Sequence, residues 1–250
     1  VMLHTCGTVI HDTHITIYTH IHAPQYPNSG KGLDVGLLVW LEKYTFPTEA
    51  KFKDLKFAEH VYDRAVVCTF VRNGTTTACY YGTIHTDASL VLCDIIEKYG
   101  QRAFVGKVNM NQHSPEYYIE TTEESIENTE RFLYVFSNGR IYPIITPRFA
   151  ASCDHKLMAT CQLCFMSIDM NLLCINLLCL QTILAHGIYL TPAEREIVKS
   201  RGCGISHCPN SNTSSGVCDV RQLLEDGIPV GLGTGKKFVA KVVISFSQTY

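Results

Sequence analysis

Tyr18-Thr19-His20-Ile21-His22-Ala23-Pro24-Gln25-Tyr26 decides how the chain is built. A β-branched run, Ile15-Thr16-Ile17, leads into it. Side chains alternate along an extended strand, so two histidines one residue apart share a face. Neutral imidazole nitrogens on one face can hold a divalent ion, and zinc is the usual occupant of nitrogen-rich sites. By itself the tripeptide fits a solvent-facing pair with no ion just as simply. What decides between them lies downstream.

From Asn73 onward the chain alternates strand and helix. Asn73-Gly74 turns into a strand over Thr75–Tyr81. Asp87 is expected to cap a helix with the apolar stripe Leu92, Ile95, Ile96 and Tyr99, stopped by Gly100. A strand over Ala103–Val108 follows. Thr121-Thr122-Glu123-Glu124 is a capping box opening the next helix, with Ile126, Leu133 and Phe136 facing in. Further strands are expected over Ile141–Thr146, Thr182–Ala185, Cys203–Ser206 and Pro229–Leu232. A second capping box, Thr191-Pro192-Ala193-Glu194, opens a helix closed by Gly202, and a short helix is expected over Val217–Glu225. Before this region, helices are expected over Leu33–Tyr44 and Ala58–Arg72, and a strand over Thr8–His11. Such alternation specifies parallel βαβ units. Several strands end in His, Arg or Asn, which is where a (β/α) barrel keeps its active site.

A chain of 250 residues can bury one substantial core. Hydrophobic residues at 46% and charged residues at 18% exclude a disordered polymer. A net charge of −2 leaves no broad basic footprint, so no nucleic-acid polymer is expected as partner, while a single base or nucleoside stays open. Among the twelve cysteines, Cys68, Cys79, Cys93, Cys174 and Cys179 keep apolar company, which suits buried thiols in a reducing, cytoplasmic setting. No signal peptide is read at the N-terminus, and a start at Val1 leaves the natural beginning of the protein open. Cys161–Leu180 is apolar but interrupted by Asp169, Asn171 and Asn176, so a buried helix is expected there rather than a membrane span.

The motifs Thr19–Tyr26, Lys43-Tyr44-Thr45-Phe46-Pro47, Asn73–Tyr80 and Gly100–Lys107 resemble those of the guanine deaminases of the amidohydrolase superfamily. So do Thr146-Pro147-Arg148-Phe149, Ala185-His186-Gly187, Ser206-His207-Cys208-Pro209-Asn210-Ser211-Asn212 and Gly231-Leu232-Gly233-Thr234. The resemblance covers roughly residues 18–158 and 181–234 in family order. It implies the TIM-type (β/α)8 barrel of the metal-dependent hydrolases, in α/β class, as a homodimer in the cytosol with no membrane attachment. It also implies His20 and His22 as zinc ligands and Gln25 as a hydrogen-bond partner of the purine edge. Arg148 would bind the base's acceptors, Phe149 would pack on its ring, and His186 would orient the zinc-bound water. The reaction implied is guanine to xanthine and ammonia, with zinc lowering the pKa of its water to near 7.

Two departures fall on the chemistry. Between Met158 and Ala185 the family carries a fifth strand with a His-x-x-Glu motif, and here that interval holds neither residue type. The family's Gly-Leu-Gly-Thr-Asp reads Gly231-Leu232-Gly233-Thr234-Gly235, so a metal-binding carboxylate is replaced by Gly235. The expectation is an incomplete barrel, its fifth strand and C-terminal part replaced or missing: a truncated or aberrant copy with little or no deamination. In domain terms, residues 1–17 are unassigned, 18–234 form the barrel with 159–180 as a non-matching apolar insert, and 235–250 are a non-matching tail. The rival reading is a catalytically inactive purine-binding or interfering module that keeps Gln25, Arg148 and Phe149. A third is a cysteine zinc site from Cys161, Cys164, Cys203 and Cys208. The H-x-E with P-C-x-x-C signature of cytidine-type deaminases is not in the chain.

Overall fold

In chain order the strands are β1 (Thr16–His22), β2 (Thr75–Tyr81), β3 (Arg102–Gly106), β4 (Val108–Asn109), β5 (Ile141–Pro143), β6 (Thr146–Pro147), β7 (Ile183–Ala185), β8 (Gly204–His207) and β9 (Val230–Leu232). Seven of them hydrogen-bond in the order β5-β3-β2-β1-β9-β8-β7, and β4 pairs with β6 apart from that sheet. Every pairing is parallel. The computed structural model describes residues 16–32, 34–135, 139–167, 182–209 and 216–234. The expected strand at Thr8–His11, most of the Cys161–Leu180 stretch and Gly235 lie outside these. Among the described residues the outer edges of β5 and β7 have no neighbouring strand, the outline of a barrel described only in part.

The helices are α1 (Leu37–Trp40), α2 (Phe46–Ala50), α3 (Leu55–Arg64), α4 (Thr86–Lys98), α5 (Thr122–Val135), α6 (His155–Ser167), α7 (Pro192–Ser200) and α8 (Val220–Glu225). The main core joins Ile21, Ala78, Tyr80, Ala103, Val105 and Ile141 of the sheet to Ala58, Val61 and Tyr62 of α3 and Leu92, Cys93, Ile95 and Ile96 of α4. This burial places β1 at the middle of the sheet with its carboxyl end fixed. No helix among the described residues is long and apolar enough to cross a membrane.

Both capping boxes form as expected. The Thr121 N–H donates to Glu124 Oε2 at 2.9 Å while the Glu124 N–H donates to Thr121 Oγ1 at 3.1 Å, and Thr191 with Glu194 repeats the exchange. Gly74, Gly100 and Gly202 take the left-handed backbone that ends their helical turns. Other boundaries move for local reasons. Helix α3 starts earlier than Ala58 because Asp54 accepts the Lys56 N–H at 2.9 Å, and beyond Arg64 the chain continues as a wide turn to Phe70 and a tight one to Asn73. Helix α4 begins at Thr86, so Asp87 sits inside the first turn, where a negative charge meets the positive helix end. The helix expected over Leu33–Tyr44 starts at Leu37 and runs on through a wide turn into α2. Pro47 is tolerated there because it occupies the first turn of α2. Strand β8 lies one residue later than expected, and Asp219 starts α8 at Val220 by accepting the Gln222 N–H at 3.0 Å.

The strands expected over Ala103–Val108 and Ile141–Thr146 are each broken in two. Lys107 leaves the ladder because its buried ammonium pairs with Glu120 and donates to the Val108 carbonyl at 3.1 Å. The chain then re-pairs, Val108 against Thr146 and Asn109 against Pro147. Gly106 makes the crossing possible: a Cβ there would press into the Thr146 side chain and lie 2.8 Å from the Ile144 carbonyl oxygen. Gly106→Ala is therefore expected to lower stability by about 1–3 kcal/mol in urea unfolding, whereas the same change at Gly139, with open space around it, should be felt only through its positive φ.

Candidate active site

At the carboxyl end of β1, His20 and His22 project from the same face, as the period of a strand requires, with ring centroids 4.8 Å apart. Tyr81, at the end of the neighbouring β2, stands 4.5 Å from the His20 ring and 4.8 Å from the His22 ring. His186 follows β7 and brings its ring to 5.6 Å from His20. The three histidines expected from the sequence thus converge from strands 160 or more residues apart in the chain, a count that follows from their numbers. His186 is held at φ +75°, left-handed backbone that a residue with a Cβ rarely takes, and its N–H donates to the Ser206 carbonyl at 2.8 Å. Strain of this kind costs on the order of 1–3 kcal/mol and clusters at functional sites. On the other side of β1, the Thr234 N–H donates to the His20 carbonyl at 3.0 Å, which puts the end of Gly231-Leu232-Gly233-Thr234 beside the histidines.

Burial removes water from both imidazoles. That desolvation, with His186 and Arg148 nearby, lowers His20 to about 3. Burial, then His20, Arg148 and His186, holds His22 well below its ordinary range. Both rings are neutral at neutral pH, the form that binds metals. His22 Nδ1 is buried without a hydrogen-bond partner, a vacancy in its bonding that a cation would satisfy. The donor chemistry fits a divalent metal in kind. In number it stops short: among the described residues no group of three His, Cys, Asp or Glu side chains could hold an ion. The same finding leaves the Cys161, Cys203 and Cys208 grouping unassembled among the described residues.

Behind the histidines lies a buried polar network that the sequence motifs touched at only two points. Gln25, on the turn Ala23–Asn28 after β1, and Arg148, just after β6, both reach Glu49 of α2. Arg148 grips the carboxylate with both terminal nitrogens, Nη2 donating to Oε1 at 3.0 Å and Nη1 to Oε2. The Tyr118 hydroxyl donates to Glu49 Oε2 at 2.8 Å, and Gln25 Nε2 donates to Oε1 at 3.3 Å. The guanidinium lies 5.3 Å from the centre of the Phe46 ring. Phe149, the residue expected to pack on the base, stands 37% exposed at the start of the next turn. Glu49, Tyr118, Phe46 and Tyr81 were not among the expected site residues. Phe46 lies inside the Lys43–Pro47 motif, which stops two residues before Glu49, and Tyr81 directly follows the Asn73–Tyr80 motif.

This chain, a parallel sheet with a buried His-x-His at the end of its central strand, can be set beside known proteins. The model of the Amidohydrolase family matches residues 16–174 and 166–245. The chain belongs to this family. Among curated amidohydrolase relatives, a guanine deaminase of Dictyostelium discoideum is 46% identical over 253 residues, covering 87% of this chain and 56% of that one. A Mus musculus guanine deaminase is 47% identical over 255 residues, covering 86% and 55%. The chain thus spans about half the length of the curated relatives it matches. Among solved structures, a guanine deaminase from C. acetobutylicum with guanine bound in its active site superposes with a TM-score of 0.81 at 32% identity, over 88% of this chain and 61% of that one. The E. coli guanine deaminase gives 0.83 at 27% identity, over 90% and 59%.

Proposed function

We infer that this site takes guanine and derives from machinery that hydrolyses it to xanthine and ammonia. The convergence of a neutral histidine pair with the Gln25–Glu49–Arg148 network at one end of the sheet carries this reading, and the guanine deaminase relatives support it. His20 and His22 would hold zinc, which when bound supplies an acidified water as nucleophile. The chain's own groups do the rest. Gln25 Oε1 is buried with no partner, so it offers an acceptor to an N–H of the base. Arg148 would offer donors to the base's oxygen and ring nitrogen, and the burial of Gln25 and Arg148 keeps competing water from them. His186, whose ring lies beside that of His20, would orient the attacking water.

A second reading is favoured by a specific observation: the described donor set ends at two imidazoles, and neither His nor Glu stands between Met158 and Ala185. Catalytic zinc sites normally supply three protein ligands. The expected result is a chain that retains guanine in equilibrium dialysis, holds zinc more loosely than a three-ligand site, and releases ammonia from guanine no faster than buffer. Zinc-dependent ammonia release would establish the enzyme in this chain and overturn the inert reading. Absence of any guanine binding would overturn both.

A further inference from the structure

Glu49 is a buried charge that no motif accounted for, and its surroundings say what it does. Four donors converge on its carboxylate: Arg148 Nη1 and Nη2, the Tyr118 hydroxyl and Gln25 Nε2. An ionised carboxylate has about four lone-pair sites and no donor of its own, so Glu49 is saturated by protein and has nothing left for a ligand. Its effect is on its neighbours. Because an acceptor-only group can face only the NH₂ end of an amide, Glu49 fixes which way Gln25 points and leaves Oε1 as the unpartnered acceptor. It also cancels the charge of Arg148, whose side chain is 3% exposed against 0% for Glu49.

Resting on the guanine-site reading above, we propose that Glu49 is the positioning and charge-setting residue of the pocket, making it select an uncharged purine and reject an anionic one. A lone buried guanidinium would draw anions strongly; paired with Glu49 it offers oriented N–H donors without net charge. The distinction bears on the reaction, since the dioxopurine xanthine loses a proton at mildly alkaline pH while guanine stays neutral. Glu49 thereby favours entry of guanine and departure of ionised xanthine. The titratable groups facing the pair do not blur this: burial holds His85, His20 and His22 below their ordinary values and Tyr118 and Tyr62 above theirs, so none of these changes charge between neutral and mildly alkaline pH.

The test measures binding of labelled guanine and labelled xanthine by equilibrium dialysis at fixed zinc, near pH 6.5 and again near pH 8.5. The unaltered chain should lose about tenfold or more of its xanthine affinity at the higher pH while guanine binding, the internal control, holds. Glu49→Gln should raise the affinity for ionised xanthine relative to guanine by about tenfold or more. Glu49→Asp, which keeps the charge but shortens the reach, should weaken guanine while still rejecting the anion. A xanthine-to-guanine ratio unmoved in a folded Glu49→Gln variant, or an unaltered chain that binds neutral and ionised xanthine equally, overturns the proposal while leaving the guanine site standing. Should Glu49→Gln not fold, the pH series on the unaltered chain decides alone. Failure of the unaltered chain to bind either base removes the guanine-site reading and this proposal with it.

Discussion

Arg148→Ala is expected to lower the unfolding free energy by about 3–5 kcal/mol, because it strands the Glu49 carboxylate in a site without water. The magnitude comes from the asymmetry of buried ion pairs. Taking both charges out of water costs nearly as much as their attraction returns, so the pair adds little to stability, yet either charge left alone is severely penalised. A surface pair supplies the contrast. Lys156 and Glu123 lie 67% and 71% exposed, and Lys156→Ala should cost no more than about 1 kcal/mol. The decisive arm is the double variant Glu49→Leu/Arg148→Met, which removes both charges and fills their volume. It should recover most of the loss in urea unfolding while binding no guanine, separating what the pair does for the fold from what it does for the ligand. If Arg148→Ala costs no more than the surface pair, water reaches the network in solution and the Arg148–Glu49 pair is not dry.

How far the sequence showed this in advance depended on whether the cause was local. The strand period alone put His20 and His22 on one face, and Thr121/Glu124 and Thr191/Glu194 announced their helices because a capping box closes within four residues. Parallel alternation was legible for the same reason. The break at Lys107 was not, because its partner Glu120 is a loop residue that becomes a neighbour only after folding. Glu49 is the sharper case. It sits in the short stretch Thr48-Glu49-Ala50-Lys51, to which no motif or period assigns a role, and its partners are 24, 69 and 99 residues away in sequence. A carboxylate's burial is fixed by cations and hydroxyls that arrive from elsewhere, so no window of sequence holds the signal. Phe46 shows the converse: it lies inside a legible motif, yet nothing in that motif says that its ring meets the Arg148 guanidinium, which comes from 102 residues further along the chain.

The histidine pair should make the metal-free protein unusually sensitive to acid. In the unfolded chain each imidazole takes a proton near its ordinary pKa of about 6.5. In the folded chain burial keeps His20 neutral down to about 3 and His22 neutral well below its ordinary value. Between those limits the unfolded state binds more protons, so stability rises with pH. The contribution is complete above roughly pH 6.5–7 and is lost as pH falls toward the folded value near 3. At about 1.4 kcal/mol per unit, His20 should account for roughly 2 kcal/mol of destabilisation between about pH 7.5 and pH 5, and His22, lowered in the same direction by burial, adds to it. Other groups titrate in the same range, His85 and His207 with the same sign. The quantity to measure is therefore the difference between the unaltered chain and His20→Gln/His22→Gln, each followed by urea unfolding across that range with chelator present. The double variant should show a flatter dependence by at least that amount. Parallel curves would mean that both rings are hydrated and protonate freely in the folded protein, and then they could not converge as neutral donors on a shared cation.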